Sequence, residues 1–289
     1  MFVSSRIAAM TESATLAVGA KAAAARAKGH DVIAFAMGEP DFDTPSNIKH
    51  AAIAALEKGM TKYAPTPGDK LAREAIARKL TEENGIETSF EQVTVTAGAK
   101  HAIYMALQAI VEPGRGDEVL LPTPAWVSYK ALIELAGAKC VEIAGSVENG
   151  FRITPTQLAA AVTPRTVGIV WNSPSNPCGI AYPASEVRAL CDVLARCERV
   201  AVISDEIYEK LIYPEISPGL VHFSPGSVAT LRDRTITING MSKSYAMTGW
   251  RIGYMAAPRS MASELIKLQG QMTNSIPSFF YPAIVEALA

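Results

Sequence analysis

The sequence predicts an α/β protein of three layers, with helices on both faces of a mostly parallel seven-stranded sheet. Short runs of apolar and β-branched residues alternate with longer segments of helical periodicity, which favours parallel strands joined by crossover helices. Glycine and proline cluster where the apolar runs end, as in a protein that turns at each strand exit. With 289 residues and 49% hydrophobic content, the chain can bury a large core.

Seven runs have the length and composition of buried strands, and Val200-Ala201-Val202-Ile203 is typical of them. We place the strands at 93–96, 118–122, 139–143, 167–171, 199–204, 234–239 and 251–256. Binding residues of open α/β sheets gather where the strands end. The candidate site is therefore expected in the loops that follow these runs.

Segments with apolar residues at helical spacing separate the strands. We place helices at 46–59, 70–84, 100–112, 126–137, 156–162, 184–196 and 260–270. Residues 5–30 are rich in alanine and poor in acids, which favours an amphipathic arm or helix over a transit peptide. The last residues, 282–289, read as part of another amphipathic helix without a glycine or proline stop signal.

Composition limits the partners more than it defines the function. A formal net charge of −1 gives no electrostatic reason to expect nucleic acid or an anionic membrane, so the expected partner is a small molecule. The four cysteines have neither metal-ligand spacing nor the density of a secreted disulfide framework. We therefore expect reduced thiols, no metal site and a cytoplasmic protein. No apolar run is long enough to suggest a membrane span.

Three common enzyme classes lack their motifs here. A dinucleotide-binding turn needs Gly-x-Gly-x-x-Gly after a strand, but Gly114-Arg115-Gly116 follows a helix and lacks the third glycine. The Gly-Lys-Ser or Gly-Lys-Thr of a phosphate-loop NTPase is missing. So is the Gly-x-Ser-x-Gly of a serine hydrolase.

Lys243 is the most informative single residue, because small and hydroxylated neighbours flank it just after the run Thr235-Ile236-Thr237-Ile238. A lysine in an ordered, partly buried pocket has a lowered pKa, and its free amine can attack a carbonyl. Taken alone, a lysine after a strand is more often a solvated turn residue. Its interpretation therefore depends on the other motifs of the chain.

Six further motifs precede the segment from Ser242 to Arg251, and most of them lie next to a predicted strand. They are Gly38-Glu39-Pro40-Asp41-Phe42, Lys62-Tyr63-Ala64-Pro65, Thr96-Ala97-Gly98-Ala99-Lys100, Trp126-Val127-Ser128-Tyr129, Asn172-Ser173-Pro174-Ser175-Asn176-Pro177 and Ser204-Asp205-Glu206-Ile207-Tyr208. In content and order they resemble the class I (fold type I) aminotransferases that use pyridoxal phosphate, and above all the bacterial aspartate aminotransferase branch. The resemblance covers essentially the whole chain.

The resemblance implies the fold of the pyridoxal-phosphate-dependent transferases and a homodimer with composite active sites. Residues 1–45 would form an N-terminal arm and the start of a small domain, and residues 46–289 the large cofactor-binding domain. Because relatives continue beyond the position of Ala289, we expect a C-terminally truncated member whose small domain is largely missing. The arginine that binds the substrate α-carboxylate in relatives would belong to that missing part.

The function implied is amino-group transfer from aspartate, or a related dicarboxylic or aromatic amino acid, to a 2-oxo acid, in amino acid metabolism and biosynthesis. Two alternatives stay open. The chain could be a non-catalytic remnant that binds pyridoxal phosphate, or another fold type I enzyme such as a lyase.

The resemblance assigns catalytic roles to three residues. Lys243 would bond to the cofactor aldehyde and then move the substrate proton, and Asp205 would keep the pyridine nitrogen protonated. Tyr208, with Asn176, would hydrogen-bond the ring oxygen. Taken alone, Asp205 is more often a strand-end cap, Tyr208 could be a core tyrosine, and Asn176 could be a turn residue.

The remaining assignments concern the phosphate and the substrate. The phosphate would be bound by Gly98, Ala99 and Lys100 at a helix start, by Arg251 and by Tyr63 of the neighbouring subunit. Trp126 would stack on the ring and, with Asn176, contact the substrate. Gly38 would meet the substrate α-carboxylate, and Ser13, Thr15 and Lys100 its distal carboxylate. One departure from the family pattern is Gly240, where relatives often have a phosphate-binding serine.

Overall fold

A computed structural model of the chain describes residues 2–8, 10, 14–33 and 38–289. Its centre is one sheet of seven strands, in the order β1-β7-β6-β5-β4-β2-β3. The strands are β1 (Val93–Thr96), β2 (Glu118–Thr123), β3 (Lys139–Ala144), β4 (Thr166–Asn172), β5 (Ala201–Asp205), β6 (Thr235–Gly240) and β7 (Gly253–Ala256). All neighbours pair in parallel except β7, which is antiparallel to both β1 and β6. The mostly parallel seven-stranded sheet predicted from the sequence is confirmed.

Ten α-helices lie within the described residues. They are α1 (Ser5–Ala8), α2 (Ala14–Ala27), α3 (Ser46–Glu57), α4 (Lys70–Asn84), α5 (Ala99–Ile110), α6 (Val127–Leu135), α7 (Pro155–Ala161), α8 (Ala184–Ala195), α9 (Arg259–Gly270) and α10 (Tyr281–Ala287). Local signals account for several ends. The Asp69 carboxylate accepts hydrogen bonds from the first amides of α4, and Gly85 ends that helix in the left-handed conformation.

Helices cover both faces of the sheet, which confirms the three-layer α/β/α architecture. One face packs the α5 residue Ile103 and the α9 residue Leu265 against Ile203 and other strand residues. On the opposite face, Val202 packs with the helices α7 and α8. Adjacent residues of β5 thus point to opposite layers, as a strand buried on both sides requires.

A third apolar cluster lies at the β1–β7 edge of the sheet, where α3, α4 and α10 pack together. Its centre includes Ile76 of α4, Tyr254 of β7 and Ile284 of α10, all buried. None of the helices within the described ranges is long and apolar enough to cross a membrane.

Candidate active site

The candidate residues are brought together by the direction of the strands. Strands β1, β2, β4, β5 and β6 all run the same way, so their carboxyl ends share one edge of the sheet. Strand β7 runs in the opposite direction and begins at that edge. The loops that carry the predicted motifs therefore leave or enter the sheet on the same side.

Asp205 is the last residue of β5 and is 2% exposed. Its Oδ2 accepts a hydrogen bond of 2.7 Å from the Tyr129 hydroxyl, and its Oδ1 accepts one of 3.2 Å from the Ile207 amide. Burial raises the pKa of Asp205 to about 6, although these two donors act in the opposite direction. A buried carboxylate of this kind is stabilised by a positively charged donor.

Asn176 and Tyr208 meet beside Asp205. The Asn176 amide nitrogen lies 3.4 Å from the Tyr208 hydroxyl. The loop of Asn176 is fixed by Asn172, which accepts a hydrogen bond from the Asn176 backbone amide at 2.9 Å and donates one to the Asp205 carbonyl at 2.9 Å. Burial raises the pKa of Tyr208, and the nearby Asp205 acts in the same direction. Its hydroxyl therefore stays protonated and can donate.

Lys243 follows β6 by three residues and is half-buried. Its Nζ donates to the carbonyl oxygen of Gly38 and lies 5.8 Å from the centre of the Tyr208 ring. Burial lowers the pKa of Lys243, Arg251 acts in the same direction, and Glu39 opposes the change. The free amine is therefore more accessible than in a solvated lysine.

The start of α5 and the side chain of Arg251 form one positive corner of this edge. Gly98 precedes the helix with φ +85°, and a Cβ built on it would lie 2.5 Å from the Arg251 Nη2. The guanidinium is held by a 3.0 Å hydrogen bond from its Nη1 to the Thr248 carbonyl. At a helix start the first backbone amides, here those of Ala99 and Lys100, have no partner within the helix. The corner thus combines two amides, a helix dipole and a guanidinium.

Lys100 and Trp126 form the side wall of the site. The Nζ of Lys100 lies 4.6 Å from the centre of the Trp126 ring, a cation–π contact. The pKa of Lys100 is lowered by burial and by the charge of Arg251. Beside them opens a cleft of about 300 Å³, lined by Ala97, Lys100, His101, Tyr104, Leu132, Leu135 and Arg251.

Three predicted residues are not among the described contacts of this constellation. The Tyr63 side chain is 96% exposed and projects into solvent. Ser13 lies outside the described residues. Thr15 belongs to α2, but its side chain is outside the described part of the structure.

Gly240, the departure from the family pattern, has a local explanation. It is the last residue of β6, opposite Gly253 of β7. A Cβ at Gly240 would lie 2.7 Å from the carbonyl oxygen of Ile252, closer than side chains tolerate. The close approach of β6 and β7 therefore excludes a serine at Gly240 in this backbone.

Sequence reasoning missed two features that contact the site. Tyr129 lies inside a quoted motif, yet neither its burial nor its contact with Asp205 follows from its position in that motif. The second feature is Glu206, which is fully buried and accepts hydrogen bonds from Ser204 at 2.8 Å, from Ser224 at 2.5 Å and from His222 at 2.9 Å. The available signal in the sequence was Ser204 at the end of a strand, directly followed by two consecutive acidic residues.

Glu206, Glu209 and His222 offer ligand atoms within 4.8 Å of one another, a spacing compatible with a metal ion. The ammonium group of Lys79, however, contacts the Glu209 carboxylate directly, and both side chains are buried. These protein donors satisfy the two carboxylates. We therefore interpret the cluster as a structural hydrogen-bond network.

Comparisons with known proteins agree with this geometry. The model of the family "Aminotransferase class I and II" matches residues 30–289. The aspartate/prephenate aminotransferase of Cereibacter sphaeroides is 45% identical over 291 residues, which is 100% of this chain and 71% of that protein. The aspartate aminotransferase of Geobacillus stearothermophilus is 43% identical, over 99% of this chain and 72% of that protein.

Among solved structures, the aspartate aminotransferase of Thermus thermophilus with maleate superposes with a TM-score of 0.94 at 42% identity. The match covers 100% of this chain and 73% of the Thermus chain. The chain belongs to the class I and II aminotransferase family, whose members are transferases that generally depend on pyridoxal phosphate. The family and the type of enzyme predicted from the sequence are confirmed.

Proposed function

We propose that the edge site binds pyridoxal phosphate through Lys243 and transfers an amino group from aspartate, or a related dicarboxylic or aromatic amino acid, to a 2-oxo acid. The observation that carries the proposal is the convergence of Lys243, Asp205 and Arg251 on one edge of the sheet. The substrate class is supported by the names of the similar Cereibacter and Geobacillus proteins.

The phosphate end of the cofactor fits the positive corner. Any side chain at Gly98 would clash with the Arg251 guanidinium, so the glycine allows this positive charge to lie directly against the start of α5. The amides of Ala99 and Lys100 and the dipole of α5 favour a dianion there. A charge-assisted contact with Arg251 is worth about 1.5 to 3 kcal/mol.

The ring end fits the buried acid. A protonated pyridine nitrogen is a charged donor, which is what the Asp205 carboxylate needs at a position where burial raises its pKa to about 6. The protonated hydroxyl of Tyr208, together with Asn176, is suited to hold a ring oxygen. Trp126 offers its ring face as a stacking surface.

When bound, pyridoxal phosphate supplies an aldehyde that captures amines and a ring that withdraws electrons from the substrate Cα. Lys243 provides the amine that holds the cofactor between turnovers. Once the substrate amine has displaced it, the lowered pKa would let its Nζ take the proton from the substrate Cα and pass it to the former aldehyde carbon of the cofactor. Lys100, Ser13 and Thr15 are proposed to bind the distal carboxylate of the substrate.

We further propose that residues 46–289 act as the cofactor-binding domain, with 1–45 as an arm and the start of a small domain. The protein would work as a homodimer in which Tyr63 of one copy reaches the phosphate of the other. The 96% exposure of Tyr63 leaves its hydroxyl available for such a contact. The α-carboxylate of the substrate would contact the backbone at Gly38, whose carbonyl accepts from Lys243.

Borohydride reduction of the cofactor-loaded protein followed by peptide mapping tests the covalent link. We expect the reduced label on the peptide that contains Lys243 and its loss in Lys243→Ala. The matched control is Lys267→Ala, which removes an exposed lysine paired with Glu264 and should keep the label. A label on another lysine, or none, would contradict the proposal.

Stopped-flow absorbance then separates turnover from mere binding. Mixing the loaded protein with aspartate should convert the bound cofactor to its amino form, and a 2-oxo acid should restore it. Borohydride labelling of Lys243 without any conversion at high aspartate would favour the alternative of a chain that binds the cofactor without transamination.

A further inference from the structure

Tyr129 is a residue for which the proposed chemistry gives no role, although it touches the acid at the centre of the site. It is 2% exposed, and its ring is held edge to face against Trp126, with the ring centres 5.3 Å apart. Its hydroxyl points away from solvent and donates to the Asp205 Oδ2 at 2.7 Å. One side chain thus contacts both the proposed stacking surface and the proposed partner of the pyridine nitrogen.

The direction of this hydrogen bond is fixed by electrostatics. Burial raises the pKa of Tyr129 well above its usual range, and the charge of Asp205 acts in the same direction. The hydroxyl therefore stays protonated and donates, while the carboxylate accepts. Among the described residues, the other donor to the Asp205 carboxylate is the Ile207 backbone amide, so Tyr129 provides the one side-chain hydrogen bond to that carboxylate.

We propose that Tyr129 is a positioning residue that keeps Asp205 ionised and aimed at the cofactor ring. The proposal rests on the function proposed above. By donating to one carboxylate oxygen, Tyr129 favours the charged form of an acid that burial would otherwise neutralise. By packing against Trp126, it also fixes the distance between the acid and the stacking surface. The type of ligand concerned is a cationic heteroaromatic ring with one N–H donor.

The test is Tyr129→Phe, which removes only the hydroxyl. The Asp205 carboxyl would be followed in the cofactor-free protein by NMR titration of labelled aspartate, assigned through Asp205→Asn. We expect the pKa of Asp205 to be higher in this variant than in the unchanged protein, because one of the two hydrogen-bond donors that lower it is gone. An unchanged titration would overturn the proposal, and this result does not depend on whether the cofactor binds.

A second readout is the affinity for pyridoxal phosphate as a function of pH. Affinity should fall as pH decreases through the pKa of Asp205, and in Tyr129→Phe this fall should begin at higher pH. Near neutral pH we expect a loss of roughly tenfold, as for one hydrogen bond to a charged group. A parallel loss at all pH values would indicate only a packing defect and would refute the proposed role.

Tyr182→Phe is the matched control. Tyr182 is also buried, and its hydroxyl also makes one hydrogen bond, accepted from the Ile153 amide at 2.9 Å. Removal of the Tyr182 hydroxyl should leave unchanged both the titration of Asp205 and the pH dependence of the affinity for pyridoxal phosphate. If Tyr129→Phe fails to fold, the hydroxyl proton of Tyr129 in the unchanged protein remains observable. Its NMR signal should shift as Asp205 titrates, and a signal insensitive to that titration would overturn the inference.

Absence of the borohydride label on Lys243 in the unchanged protein would refute the proposed function but not the hydrogen bond between Tyr129 and Asp205. An unchanged Asp205 titration in Tyr129→Phe would refute the role of Tyr129 and leave the function standing. The two failures are therefore distinguishable.

Discussion

Replacing Gly98 by alanine tests whether the positive corner is built around the absence of a side chain. Gly98 precedes α5 with φ +85° and ψ 160°, a conformation that residues with a Cβ rarely adopt. The added Cβ would also lie 2.5 Å from the Arg251 Nη2. Two separate penalties are therefore expected, one on folding and one on binding.

The folding penalty comes from the backbone. Holding a residue other than glycine in this region costs about 1 to 3 kcal/mol, so the free energy of unfolding should fall by that amount. The binding penalty comes from Arg251, whose guanidinium must move away from the new methyl group. Loss of its charge-assisted contact, worth about 1.5 to 3 kcal/mol, would weaken phosphate-bearing ligands by roughly 10- to 100-fold.

Chemical denaturation gives the first quantity, and titration with pyridoxal phosphate gives the second. Gly249→Ala is the matched control, because a Cβ there meets nothing within 4 Å and the backbone has no positive φ. Together with Arg251→Ala, the double variant Gly98→Ala/Arg251→Ala completes a double-mutant cycle. If the alanine acts by displacing Arg251, it should cost little further affinity once the arginine is gone. Equal costs in both backgrounds would refute this explanation.

Three further predictions concern the residues around the site. The contact with Glu206 raises the pKa of His222 above 6.5, against the effect of burial, so its contribution to stability is present at low pH and is lost as pH rises through the folded pKa. Denaturation series at several pH values measure this decrease in the free energy of unfolding with rising pH. The decrease should be absent in His222→Gln, and its persistence there would contradict the assignment. Lys79→Met removes the buried ammonium group that contacts Glu209 and should lower the free energy of unfolding by about 3 to 5 kcal/mol. The double variant with Glu209→Leu should recover most of this loss, and equal instability would argue against a buried ion pair. Gly240→Ser forces a Cβ to 2.7 Å from a facing carbonyl and should cost about 1 to 3 kcal/mol by the same assay, whereas unchanged stability would show that β6 and β7 can separate.

The strand and helix positions were largely predictable because composition and periodicity act locally. The strand expected at 139–143 is observed at Lys139–Ala144, and the helix expected at 70–84 at Lys70–Asn84. One informative shift is at the run expected at 251–256, where pairing begins only at Gly253. Arg251 instead adopts φ +56° in the turn before the strand. A side-chain pattern does not record such a turn, because the left-handed conformation here belongs to an arginine and not to a glycine.

The contacts of the site were less predictable than its members. Family motifs named Asp205 and Lys243, but they did not indicate that Tyr129 donates to the acid across 76 positions of sequence. Such a contact depends on α6 packing over the end of β5. That packing is decided by the apolar residues of the core, and no spacing within a motif encodes it.

The direction of β7 is what brings positive charge to the start of α5. Because β7 runs antiparallel to β6, the chain makes its turn between Lys243 and Arg251 along the site edge and then enters the sheet from that edge. This path requires close contact, since a Cβ at Gly253 would lie 2.4 Å from the Ala99 amide nitrogen. A parallel β7 would start at the far edge of the sheet and carry Arg251 with it, away from Gly98. The arginine therefore reaches the helix start because of strand direction and two glycines, and its spacing from the lysine alone would not have placed it there.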